Sequence, residues 1–151
     1  MDLIKRAICE ECEDDVPYTV STIKKSHTIK GVTFEVEQYI GYCNICGHPV
    51  NPHELHKKND IIIYDEYKRR VGLLTSEEII RIRKKRGMSQ ADLARFIQCG
   101  EKNITRYENG GIQDPVFDFL IRLVDNDIMY EQMKQLQGFY RHNPLANTAA
   151  R

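Results

Sequence analysis

Four cysteines fall in two pairs of identical spacing, Cys9-Glu10-Glu11-Cys12 and Cys43-Asn44-Ile45-Cys46. A Cys-x-x-Cys turn presents two sulfurs from one backbone bend. Two such turns supply the four thiolates of a closed tetrahedral zinc shell, whereas a lone pair would suit a redox couple equally well. Gly47 follows the second pair, where a residue without Cβ tolerates positive φ and lets a backbone N–H approach a thiolate. Glu13 holds that place after the first pair, which leaves the geometry of that turn open. A complete thiolate set leaves no position for a substrate, so one Zn2+ of structural role is expected on Cys9, Cys12, Cys43 and Cys46. The alternative is a catalytic site in which His27, His48, His53 or His56 replaces a cysteine and a water completes the shell.

The remaining cysteine, Cys99, makes the total five in 151 residues, and an odd number argues against a disulfide framework. Its surroundings read as an apolar turn, so a small buried hydrophobe is expected there. No window approaches a membrane-spanning apolar run and no secretory apolar core opens the chain, which predicts a soluble cytoplasmic protein with no membrane partner. Twenty-two basic and twenty-two acidic residues cancel, but they are unevenly placed. Residues 1–46 carry five Lys/Arg against eight Asp/Glu, and residues 75–110 carry eight against five. An acidic front and a basic middle predict two modules that meet different partners.

Elements must bring the two cysteine pairs together. Tyr18, Val20 and Thr22 alternate with other residues, as do Val32, Phe34 and Val36, across a break at Lys30-Gly31. That pattern predicts a β-hairpin whose open end joins the pairs, with bound metal supplying what so small a core lacks. From Asn59 the pattern becomes helical, with Ile61, Ile62, Ile63, Tyr64, Tyr67 and Val71 interleaved with charges, although the isoleucine run alone also suits a strand. Gly72 ends it, which puts a domain boundary near residues 68–74. The fold class is α+β: a zinc-bound β module with a connector helix over 1–67, then an all-α domain of about five helices over 68–151.

Thr75-Ser76-Glu77-Glu78 has capping-box chemistry and opens a helix that runs to about Lys85, where Gly87 stops it. Ser89 caps the next, with Leu93, Ala94 and Ile97 inward. Cys99-Gly100 forms a turn, and a further helix carries Ile104 and Tyr107 inward and ends at Asn109-Gly110-Gly111. Asp114 caps a fourth helix with Phe117, Leu120, Ile121 and Val124 on one side. Two short helices on a tight turn are the helix-turn-helix arrangement, whose second helix enters the DNA major groove.

Ser89-Gln90-Ala91-Asp92-Leu93-Ala94 followed by Ile104-Thr105-Arg106-Tyr107-Glu108-Asn109-Gly110 resembles the Cro/phage-repressor (XRE) type of helix-turn-helix. Together with the front module and Gly72-Leu73-Leu74-Thr75, the chain resembles, over residues 5–125, the MqsA family of antitoxins. That family joins a YgiT-type zinc finger to such a domain. The resemblance implies that Gln90 and Asn109 grip phosphates, which fixes register. It implies that Glu101, Lys102, Thr105 and Arg106 face base edges, Lys102 and Arg106 pairing with guanine and Asn103 reaching adenine or phosphate. The family motif has Asn where this chain has Lys102, so its base preference does not transfer. Glu108 is expected to form a structural ion pair with Arg83.

Proteins of this type bind palindromes as dimers, and Phe117, Phe119, Leu120, Leu123, Met129, Tyr130, Met133, Leu136 and Phe139 offer surface for a homodimer. The stretch Asn143–Arg151 is expected to fray. The resemblance further implies an antitoxin that is not an enzyme: the acidic zinc module neutralises a basic toxin protein while the helices repress an inverted-repeat operator in double-stranded DNA. Two alternatives are a stand-alone regulator of XRE type, and a zinc enzyme or thiol redox switch.

Overall fold

The computed structural model describes residues 4–142, with side chains through Gly138. The expectations for Phe139 and for Asn143–Arg151 therefore lie outside the described residues and side chains. Four strands precede six helices: β1 (Arg6–Cys9), β2 (Asp14–Ile29), β3 (Val32–Cys43), β4 (Pro49–Val50), α1 (His53–Val71), α2 (Ser76–Lys85), α3 (Gln90–Phe96), α4 (Glu101–Glu108), α5 (Pro115–Asp125) and α6 (Asp127–His142). The class is α+β. The chain divides into two compact units, Met1–Tyr67 and Lys68–Arg151.

The first unit is an antiparallel sheet in the order β1-β2-β3-β4. Lys30 and Gly31 both have positive φ, 46° and 82°, which two-residue hairpin turns of matching twist require. From there the β2–β3 ladder runs without interruption from Ile29↔Val32 to Tyr18↔Cys43. Cys9 pairs with Asp14 at the end of β1, and Tyr42 pairs with Pro49 at the start of β4. Each cysteine pair thus occupies the turn between a long strand and a short flanking one. The two short strands escaped the sequence reading because four and two residues are too few to display alternation. Most of β2 beyond Val20 is exposed, so it carried no apolar signal either.

Helix α1 starts at His53, earlier than the Asn59 read from the sequence. The Pro52 carbonyl accepts the Leu55 and His56 amides and starts the first turn. Only Leu55 is buried between His53 and Lys58, so no apolar period was there to read. Leu55 joins Cys9, Val16, Tyr18, Cys43 and Val50 in the core of this unit. Further along, the Asn59 side chain accepts the Tyr39 N–H and donates to the Tyr39 carbonyl, both at 2.8 Å, and so occupies the outer edge of β3.

In the second unit the helix boundaries follow cap chemistry. Thr75 with Glu78, and Ser89 with Asp92, form reciprocal capping boxes, and Asp114 accepts the Val116 amide ahead of Pro115. Helices α1 to α4 all end the same way, with a left-handed residue followed by an amide that reaches back five residues: Leu73 to Lys68, Met88 to Arg83, Cys99 to Ala94 and Gly111 to Arg106. The left-handed residues are Gly72, Gly87, Gln98 and Gly110. The turn expected at Cys99-Gly100 therefore pivots one residue earlier, on a non-glycine. Cys99 packs on the margin of the core, and burial pushes its thiol pKa up.

The core collects Leu74, Ile79, Ile82, Leu93, Ala94, Ile97, Ile104, Tyr107, Ile121 and Val124. Full burial of side chains of this size contributes about 1.5–3 kcal/mol each. A buried polar clamp fixes the approach to α2. The Asp118 carboxylate accepts the Leu74 N–H at 2.8 Å, Gln113 Nε2 donates to the Leu74 carbonyl at 2.7 Å, and Arg122 donates to Asp118 and to the Gly72 carbonyl. Lys68 and Ser76, both buried, donate to the Tyr107 carbonyl at the end of α4.

Candidate functional site

The sulfurs of Cys9, Cys12, Cys43 and Cys46 lie within 4.8 Å of one another. Cys9 Sγ is 3.5 Å from Cys46 Sγ, and Cys12 Sγ is 3.9 Å from Cys43 Sγ. Metal–sulfur bonds of about 2.3 Å in a tetrahedron require sulfurs about 3.8 Å apart, so these four atoms lie close to that shell. Glu13 adopts φ 52° and Gly47 φ 77°, so both turns use the same left-handed residue after the second cysteine. Glu13 carries that conformation despite its Cβ, and the two halves of the clip match.

Backbone amides direct the second turn at its sulfur. The Ile45 and Cys46 N–H groups point at Cys43 Sγ from 3.3 and 3.5 Å, and Gly47 N–H donates to the Cys43 carbonyl at 2.9 Å. The Cys46 and Ile45 amides hold the Cys43 thiol down at about 6, which favours its ionised form. Cys12 is pushed up to about 12, by its hydrogen bond to Cys46 and by burial, and gives up its proton last. Four crowded thiols in this arrangement are placed to bind a metal ion, and a divalent cation stabilises the charge they carry when ionised. Among the described residues, no histidine belongs to this cluster. His27 instead bonds Gln38, at 2.6 Å, and His56 faces Asp60 on α1.

The second candidate site is the α3–α4 pair, joined by residues 97–100. Ile104 and Tyr107 anchor α4 in the core, which leaves Glu101, Lys102, Thr105, Arg106 and Asn109 exposed and Asn103 half-buried. Arg83 grips Glu108 with two hydrogen bonds, Nε at 2.6 Å and Nη2 at 3.1 Å, and spends Nη1 on the Met88 carbonyl. The Glu108 side chain is 4% exposed and Arg83 15%. Gln90 Nε2 donates to the same carboxylate at 2.7 Å, and Thr105 Oγ1 donates to Gln90 Oε1 at 2.8 Å. Asn109 Nδ2 donates to the Thr105 carbonyl at 2.7 Å. The Gln90 and Asn109 amides are thus partly engaged inside the fold, each keeping one N–H for another partner. The Arg83–Glu108 contact is the one expected from the sequence, whereas the links of Gln90 to Glu108 and Thr105 leave no periodic trace and were missed. At the end of α4, Gly111 is compulsory: a Cβ there would sit 2.6 Å from Arg106 Cγ and 2.8 Å from the Arg106 carbonyl oxygen.

Four clustered thiols on a β-hairpin, followed by a helical unit with two short helices on a tight turn, define a protein of two modules. The chain belongs to the MqsA family, the antitoxin component of a bacterial toxin–antitoxin system, whose family model matches residues 7–131. A search among curated proteins finds no match. The chain is thus an antitoxin. Among the described residues, no helix is long and apolar enough to cross a membrane.

Proposed function

We propose that this antitoxin is also a transcriptional repressor that acts in the cytoplasm as a homodimer. The α3–α4 pair is a helix-turn-helix of XRE type that reads an inverted-repeat operator, the four cysteines hold one structural Zn2+, and the first unit binds the toxin. The observation that carries this reading is the exposed face of α4. Glu101, Lys102, Thr105 and Arg106 share it, and buried Glu108, held by half-buried Arg83, and Gln90 back it from behind. Lys102 and Arg106 have the donors to meet guanine O6 and N7, and Gln90 and Asn109 have an N–H each for phosphate. Zinc suits a closed all-thiolate tetrahedron better than the harder cations do.

Two further features support the partners. The β1 ladder on β2 ends where Tyr18 N–H donates to the Lys5 carbonyl, and beyond it, among the described residues, the outward-facing amides and carbonyls from Val20 to Thr28 carry no strand. Such an edge accepts a strand from a partner, and exposed Glu10, Glu11, Glu13, Asp14 and Asp15 at its base suit a basic one. In the second unit Val116, Phe119, Ile128 and Leu136 are exposed, and Phe96, Leu120, Met133 and Leu136 line a groove of ≈ 250 Å³. Apolar surface of this kind is what a second copy would cover.

The test is binding to the DNA upstream of the gene, by fluorescence anisotropy, alongside coexpression with the product of the adjacent gene. Sequence-specific binding is expected, with Arg106→Ala costing about 1–3 kcal/mol of it. Equal affinity for operator and scrambled DNA would refute the repressor role. Failure of any neighbouring product to copurify would refute the toxin assignment.

A further inference from the structure

The relay Arg83–Glu108–Gln90–Thr105 has only one direction in which its protons can run. Glu108, gripped by Arg83 and buried, is an acceptor. Gln90 must therefore turn its NH2 group toward Glu108, where Nε2 lies at 2.7 Å. That places its carbonyl oxygen toward Thr105, and the 2.8 Å contact there is satisfied only if the Thr105 hydroxyl donates. A hydroxyl has a single proton, and here it is already spent. The exposed side of Thr105 thus presents an oxygen lone pair and a methyl group, with no donor.

We propose, resting on the reading of α4 as the groove-facing helix, that Thr105 is a specificity residue set as an acceptor by Gln90. An acceptor in the major groove meets the exocyclic amine of cytosine or adenine, and it opposes guanine, whose groove edge offers only the O6 and N7 acceptors. The pair facing Thr105 in each half-site is accordingly read through an amine, and guanine is rejected there. Gln90 is a positioning residue: besides any phosphate contact it fixes the polarity of a neighbour it never passes to the DNA.

Selection from a randomised double-stranded DNA library, sequenced for the full chain and its variants, tests this. The wild type should enrich one palindromic motif in which one base per half-site excludes guanine by about tenfold. Gln90→Met keeps side-chain length and helix propensity but removes the acceptor that holds the Thr105 proton, so guanine should become tolerated at that one base. Thr105→Val removes the hydroxyl and keeps the shape, and should level the preference for amine-bearing bases over guanine at the same position. Thr105→Ser keeps the hydroxyl relay and should retain the exclusion of guanine. A Gln90→Met motif identical to that of the wild type, with affinity lowered evenly across sequences, overturns the polarity assignment while leaving DNA binding in place. A wild type that enriches no motif removes both the DNA-binding reading and this inference.

Discussion

Among the described residues of the second unit, Gln98 is the one left-handed residue that is not glycine, with φ 60° where Gly72, Gly87 and Gly110 fill the corresponding places after α1, α2 and α4. Its side chain is exposed, so little packing offsets the Cβ strain of that conformation. Gln98→Gly should raise the unfolding free energy of the second unit by about 0.5–1 kcal/mol, measured by urea denaturation. An unchanged or lower midpoint would show that Gln98 contributes contacts outweighing its strain. Gly111 is the opposite case, since its φ is ordinary and its need for hydrogen at Cα comes from Arg106 lying against it. The two cases mark what a single chain can reveal. Gly87 and Gly110 were legible as helix stops, because glycine advertises a left-handed site; Gln98 advertises nothing, and Glu13 in the metal clip likewise hides its left-handed turn.

At the level of elements, the capped helices of the second unit were legible because Thr75, Ser89 and Asp114 state their own roles, whereas the polar clamp beneath them was not. Asp118 sits among Phe117, Phe119 and Leu120 and reads as a solvated helix charge, yet it is buried and holds the Leu74 amide. Burial opposes its ionisation, but the Arg122 guanidinium, the Leu74 N–H and the Gln113 amide together outweigh it and hold its pKa below the ordinary aspartate value. The sign follows from linkage. A carboxyl whose native pKa is depressed stabilises the fold fully above its unfolded value, about 3.9, and loses that contribution as pH falls through the native one. Stability of the second unit should therefore drop as pH is lowered from 5 toward 3. Asp118→Asn should be less stable at pH 7 and show a shallower dependence over that range in thermal melts. Parallel slopes for variant and wild type would assign the acid sensitivity to other carboxylates, such as Asp125 beside Arg81 and Lys85.

For the whole molecule, the two units differ in what holds them. The core of the second is made of ten buried residues, all but Tyr107 aliphatic, and none a metal ligand. The core of the first has six, and two of these, Cys9 and Cys43, belong to the four cysteines placed to bind a metal ion. Removing the metal would therefore take away more than a cross-link. It leaves thiols 3.5 and 3.9 Å apart in the middle of the only packed apolar cluster described for that unit. Structural zinc is worth on the order of 10 kcal/mol in small domains, more than a cluster of six residues can replace. Chelation, or Cys43→Ser, should abolish amide-exchange protection in β2 and β3 while α2 to α5 stay protected, and metal readdition should restore it after chelation alone. The far half of the hairpin makes this a sharp test. Phe34 and Val36 are buried at a distance from the clip along β3. If their strand keeps its protection without metal, burial along β3 holds the sheet by itself, and the four cysteines secure only the turns that carry them.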